Sequence, residues 1–77
     1  MKTLKNIIKD SLNETAEIIK KTEKFVLVKF KNYGEIEYAT YRYNANSIYY
    51  GHYFTTIFTS EKQAKMDAIN DFYARTL

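Results

Sequence analysis

The chain has 77 residues, a length for one domain, and its 45% hydrophobic and 27% charged residues are the balance of a globular protein. The absence of Cys excludes a disulfide scaffold, a thiolate metal site and cysteine catalysis. The absence of Pro, with only two Gly, excludes a Pro-rich linker and a Gly-rich phosphate loop. Net charge is +3 and uneven: residues 1–31 carry eight Lys against four acids, +4, while residues 32–77 carry four basic groups against five acids, −1.

Eight Tyr and five Phe make the chain 17% aromatic, and seven of the Tyr lie between positions 33 and 53. No run approaches the ~18 apolar residues of a membrane span. The basic start Met1–Lys5 is followed by no apolar h-region. Neither a membrane association nor a signal peptide is therefore expected, and with no Cys the expected location is cytoplasmic.

In chain order, Thr3 predicts the N-cap of a first helix with Leu4, Ile7, Ile8 and Leu12 on one face and Asn13 as a left-handed stop. Lys2, Lys5 and Lys9 share another face, read as solvated. Residues 14–21 are open between a helical extension to about Lys21 and a strand Ala16–Lys21 turning at Thr22-Glu23; the strand is the expected form. Phe25–Lys31 predicts a strand with Val26, Val28 and Phe30 on one face, and Asn32-Tyr33-Gly34-Glu35 a hairpin with Gly34 at positive φ. Ile36–Tyr43 pairs back, Asn44-Ala45-Asn46-Ser47 turns, and Ile48–Phe54 completes a meander in which Gly51 marks a bulge or a close approach.

Ser60 and Gln63 predict a capping box at the start of a last helix. Its apolar stripe is Met66, Ile69, Phe72, Tyr73 and Leu77, with Ala64 and Ala68 beside it and Glu61–Lys65 and Asp71–Arg75 pairs outside. The expectation is one α+β domain over residues 1–77: an N-terminal helix, a three- or four-stranded antiparallel meander, and a C-terminal helix packed on the sheet.

Nothing converges on catalysis. His52 is the only histidine, and no close set of acids accompanies it. Glu35 and Glu37 share a strand face without a general-acid partner. The hydroxyls of Ser47, Thr55, Thr56, Thr59 and Ser60 lie in no nucleophile elbow or phosphate loop. No enzyme activity, metal or cofactor is expected.

The tyrosines divide by strand alternation: Tyr38 opposes Tyr41 and Tyr43, and Tyr50 opposes Tyr49 and Tyr53. With one face beneath the helices, the other exposes phenols near Arg42 and His52. Tyr and Arg are the residues richest in interface hot spots. Tyr41, Arg42, Tyr43, Tyr49, His52 and Tyr53 are therefore the candidate partner-binding residues. The competing account is β-propensity, with cross-strand Tyr pairs stabilising a small sheet.

Tyr50-Gly51-His52-Tyr53-Phe54, preceded by the strand Thr22–Phe30 and followed by a helix ending Asp71-Phe72-Tyr73-Ala74-Arg75, resembles a pattern in short phage and mobile-element proteins of low-GC Gram-positive bacteria. The resemblance covers about residues 16–75. It implies a stoichiometric inhibitor of host defence, of the anti-CRISPR type, whose partner is a host protein or a protein–nucleic-acid complex. Many such inhibitors mimic DNA with acidic surfaces, whereas this chain is at +3. A second resemblance is to the double-stranded-RNA-binding domain. Ser60-Glu61-Lys62-Gln63-Ala64-Lys65 is similar to that family's basic helix start, which implies an α-β-β-β-α order with Lys62 and Lys65 gripping phosphates. Asn32-Tyr33-Gly34-Glu35 stands where that family carries Gly-Pro-x-His, and Glu61 replaces a lysine. A homo-oligomer is the remaining partner expectation.

Overall fold

Thr3 opens the first helix, α1 (Leu4–Ser11): its backbone is extended and its hydroxyl accepts the Asn6 N–H at 3.2 Å. The computed structural model describes residues 3–45, 47–57 and 59–76, with the side chain of Tyr50 left aside; Lys2, Asn46 and Leu77 of the sequence expectations lie outside the described residues. Ile7 and Ile8 are buried, as their helical spacing requires. Asn13 does not end the helix by a left-handed turn, because only Tyr33 and Gly34 take positive φ among the described residues. It forms an Asx turn instead, accepting the Thr15 N–H at 2.9 Å while its amide donates to the Lys31 carbonyl at 2.6 Å. Thr15 in turn accepts the Lys31 N–H at 2.8 Å, so two side chains satisfy backbone beyond the end of the first strand.

The strands are β1 (Glu17–Lys21), β2 (Phe25–Asn32), β3 (Glu35–Tyr43) and β4 (Ile48–Thr55), an antiparallel sheet in the order β1-β2-β3-β4. Residues 17–21 are thus strand, not a continuation of α1. The β2–β3 hairpin turns on Tyr33 (φ 52) and Gly34 (φ 82), the two positive values of a type I′ connection. Gly34 is the residue for such a turn; Tyr33, 98% exposed, is not.

The C-terminal helix, α2 (Glu61–Thr76), packs on the sheet. Ser60 caps it, accepting the Gln63 N–H at 3.2 Å. The reciprocal half of the box is not made, because the Gln63 amide donates to Asp67 at 2.8 Å. The buried row is Ala64, Ala68 and Phe72 at steps of four, with Ile69 beside it. Met66 and Tyr73, expected in the stripe, are each 48% exposed. The physical reason is approach distance: two alanines let the helix backbone sit close to the sheet, which turns Met66 and Tyr73 to the flank. There the Lys20 ammonium stands 5.4 Å from the centre of the Tyr73 ring.

The two helices cover opposite faces, which corrects the expectation of one covered and one open face. Ile8 and Ala16 pack with Val26, Val28, Phe30, Ala39 and Tyr41. Ala64, Ala68 and Phe72 pack with Leu27 and Tyr38. Strand alternation made both faces apolar, so each needs its own layer.

A bulge controls β4. Thr40 pairs with His52 and Arg42 with Tyr49, so Tyr50 and Gly51 together oppose Tyr41. A Cβ on Gly51 would lie 1.2 Å from the Thr40 carbonyl oxygen, and only glycine fits there. The extra residue resets the alternation. Tyr49 joins Arg42 on the α2 side and Tyr53 joins Ala39 on the α1 side, whereas strict alternation puts both tyrosines on one face.

Two substitutions test this account in urea unfolding followed by circular dichroism. Gly51→Ala drives its methyl into backbone and is expected to cost at least about 3 kcal/mol, close to complete unfolding for a domain this small. Tyr33→Asn keeps the turn, relieves a left-handed tyrosine and is expected to add about 1 kcal/mol, a rise in Tm of roughly 4–8 °C.

Candidate functional site

The six tyrosine, arginine and histidine residues singled out from the sequence separate into Tyr41 and Tyr43 on the α1 side, the half-exposed Tyr53 against Tyr41, and an exposed cluster. Tyr41 is 3% exposed. Its ring meets that of Tyr53 edge-on, centroids 5.8 Å apart at 88°, and its hydroxyl donates to the Tyr53 oxygen at 2.9 Å. Burial, then the bond to Tyr53, pushes the Tyr41 phenol well above its ordinary value, so it stays a neutral hydrogen-bonding group. Tyr43 is half-buried beside Ile48, and its hydroxyl donates to the Thr22 carbonyl. Both rings lie on the α1 side with Ala39; Tyr41 is core and closed to a partner, while Tyr43 is partly buried against that core.

Tyr53, 45% exposed, lines a groove of about 410 Å³ on the α1 side with Leu12, Asn13, Phe30, Asn32 and Glu37. Arg42, Tyr49 and His52 come together on the other side. Arg42 and Tyr49 are direct cross-strand partners, His52 stands one step along opposite Thr40, and all three are exposed. The helix leaves them open: α2 begins over Tyr38 and Lys29 and ends with Tyr73 beneath Lys20 of β1.

Two residues the sequence reading passed over complete this corner. Lys24, Arg42, Tyr43, Asn44 and Tyr49 line a groove of about 510 Å³. The Asn44 side chain accepts the Ser47 N–H at 3.0 Å and donates to the Tyr49 hydroxyl at 2.5 Å, which fixes the turn and the ring together. Lys24 arrives because its carbonyl accepts the Tyr43 N–H at 2.9 Å. Counting the β2–β3 register outward from the two-residue turn places Lys24 beside Tyr43, a signal present in the sequence. Among the described residues neither Lys24 nor Arg42 makes an ion pair. The corner is thus cationic and aromatic, suited to binding an anionic surface or a flat π-system.

A second polar cluster is structural. The Lys29 ammonium lies 2.9 Å from a Glu61 carboxylate oxygen that also accepts the Tyr38 hydroxyl at 3.2 Å. The bond to Lys29 lowers the Glu61 carboxyl and raises the Lys29 amine; burial raises the Tyr38 phenol. Glu61 therefore turns to the sheet instead of pairing along the helix with Lys65, while Asp71 and Arg75 do form the expected pair at 2.8 Å. Lys62 and Lys65 are exposed on α2.

Among the described residues no three His, Cys, Asp or Glu side chains gather where they could hold a metal ion, and no helix is long and apolar enough to cross a membrane. The chain matches no protein-family model, no curated protein and no solved structure.

The Lys29–Glu61 contact makes stability depend on acid. Because the folded carboxyl titrates below its ordinary 4.5, its contribution is complete above that value and is lost as pH falls through the lower folded one. The urea midpoints of wild type and Glu61→Gln should therefore differ at neutral pH and converge in acid.

Proposed function

We propose that the chain is a non-enzymatic binding protein that occludes a macromolecular partner, and that it belongs to the phage-encoded inhibitors of host defence nucleases. The observation that carries this reading is the corner of Arg42, Tyr49 and His52 with Lys24. It holds two cations that make no ion pair among the described residues, beside a half-exposed tyrosine pinned by Asn44; Arg42, Tyr49 and His52 stand on paired strands, and Lys24 lies just before β2. Tyr and Arg supply most of the energy at interface hot spots, and occlusion needs buried area instead of reaction chemistry. The sign of the corner directs it to an acidic patch of the partner, not to a nuclease's own basic nucleic-acid channel.

A second reading is a nucleic-acid-binding module like the double-stranded-RNA-binding domain, favoured by the exposure of Lys62 and Lys65 at the start of α2. The element order here is α-β-β-β-β-α, one strand more than that family's order.

The two readings part cleanly. Affinity capture from a low-GC Gram-positive host lysate should yield a stoichiometric protein partner, and Arg42→Glu with Tyr49→Ala should weaken it at least about 30-fold, the scale of a hot spot. Lys62→Glu with Lys65→Glu should leave that capture intact. Recovery of no protein, together with an RNA gel shift at ~50 mM salt that the two lysine substitutions abolish, would favour the second reading.

A further inference from the structure

The sheet has two edges, and they are built in opposite ways. β1 is five residues long, carries Glu17, Lys20 and Lys21, and is interrupted by an irregularity between Ile18 and Lys20. Shortness and charge are devices that keep an edge strand from pairing with another chain, and they set β1 apart; the irregularity does not, since β4 carries the Gly51 bulge. β4 has eight residues, Ile48–Thr55, with no Asp, Glu, Lys, Arg or Pro among them. Among the described residues it pairs only with β3.

Beyond the Gly51 bulge the ladder is regular. The Thr56 N–H donates to the Ile36 carbonyl at 3.1 Å, and Phe54 and His52 follow at steps of two opposite Tyr38 and Thr40. Antiparallel alternation therefore turns the backbone N–H and C=O of Tyr53 and Thr55 outward, away from β3. Three large exposed hydrophobic side chains lie along this strand and the turn after it: Tyr49 on the α2 side, Tyr53 on the α1 side, and Ile57.

We propose that two copies of this chain associate by antiparallel pairing of their β4 edges about a two-fold axis at Tyr53. A second copy is the occupant the strand itself specifies. An antiparallel strand paired with its own copy is two-fold symmetric, and β4 brings no like charges across the axis. The axis runs perpendicular to the sheet, so each face meets its equivalent: the α1 helices fall on one side of an eight-stranded sheet and the α2 helices on the other. A 77-residue domain without disulfides is of the size that gains most from such an association. The proposal stands apart from the functional reading above, and its consequence is that both Arg42–Tyr49–His52 corners face the same way.

Sedimentation equilibrium tests it. An edge contact of this size is at the weak end of specific interfaces, so wild type should pass from monomer to dimer between about 1 and 500 μM. Tyr53→Lys sets two ammoniums face to face at the axis and should remain monomeric over that range. Because this substitution also removes the Tyr41 contact, a second probe that removes the same contact without adding charge reads proximity at the axis instead of repulsion. In this cysteine-free chain Tyr53→Cys should oxidise to a covalent dimer, since the paired Cα atoms would lie about 5.5 Å apart. Glu17→Cys on the other edge should not. A wild type monomeric at about 500 μM overturns the proposal, as does equal cross-linking from the two cysteine positions.

Discussion

The close approach of Gly51 to the Thr40 carbonyl governs the surface of this protein. No side chain fits in that gap, and the extra residue it admits into β4 shifts everything on one side of it by one position relative to β3. Tyr49 is thereby carried to the α2 side beside Arg42, and Tyr53 stays on the α1 side above Tyr41. Without the bulge, Tyr49 would stand on the other face and the cationic corner would lose its ring. The tightness has a cost: the Thr40 hydroxyl is buried with no hydrogen-bond partner among the described residues, a group that typically costs about 1–3 kcal/mol. Such a cost persists in a small domain only where the surrounding structure holds the geometry firmly.

What holds it is a sheet packed on both faces. A chain of this length buries little surface, so it gains by using both sides of every strand. Leu27 serves α2 while its neighbours Val26 and Val28 serve α1, and all three are fully buried. The helices are matched to the two faces differently. α1 presses Ile8, with Leu4 and Leu12, onto valines, an alanine and the rings of Phe30 and Tyr41. α2 brings alanines to the surface and lets Tyr38 and Phe72 fill the space. Ring size on one side of the contact is balanced by small residues on the other, which is how close packing is reached without voids.

Much of this was legible in the sequence where a local rule decides the outcome. The Thr3 and Ser60 caps, the Tyr33-Gly34 turn and the three meander strands follow from side chains acting on their own backbone within a few residues. The faces of the sheet were not legible, because alternation tells which residues share a side and is silent on what covers that side. Tyr41 and Tyr43 were placed correctly relative to Tyr38, yet Tyr41 is core and Tyr43 half-buried because a helix lies on each face. Phe72 and Ile69 of the expected stripe do face the sheet, but Met66 and Tyr73 do not, for a related reason: hydropathy ranks Met above Ala, but the helix docks by its smallest residues. Arg42, Tyr49 and His52 were singled out by residue type and the structure brings them together; Lys24 needed the hairpin register to be counted out, and Asn44 was read only as a turn residue.

The aromatic surplus thus resolves into unlike uses of one side chain. Tyr38, Tyr41 and Tyr43 fill the interior and hydrogen-bond through their hydroxyls, work that Phe cannot do. Tyr33 is held in the open by its turn and has no packing role. Tyr49 and Tyr53 are half inside and half out, on the strand that, among the described residues, lacks both formal charge and a second neighbour. A phenol suits that position because it offers apolar area to a partner and keeps a hydroxyl for water when the partner is absent. An edge strand of Ile or Phe would make the free protein prone to aggregate, and an edge of Lys would forbid pairing altogether. Tyrosine keeps the strand open to association without committing the free chain to it, and the bulge aims its two exposed rings to opposite faces, Tyr49 toward the cationic corner and Tyr53 toward the α1 groove.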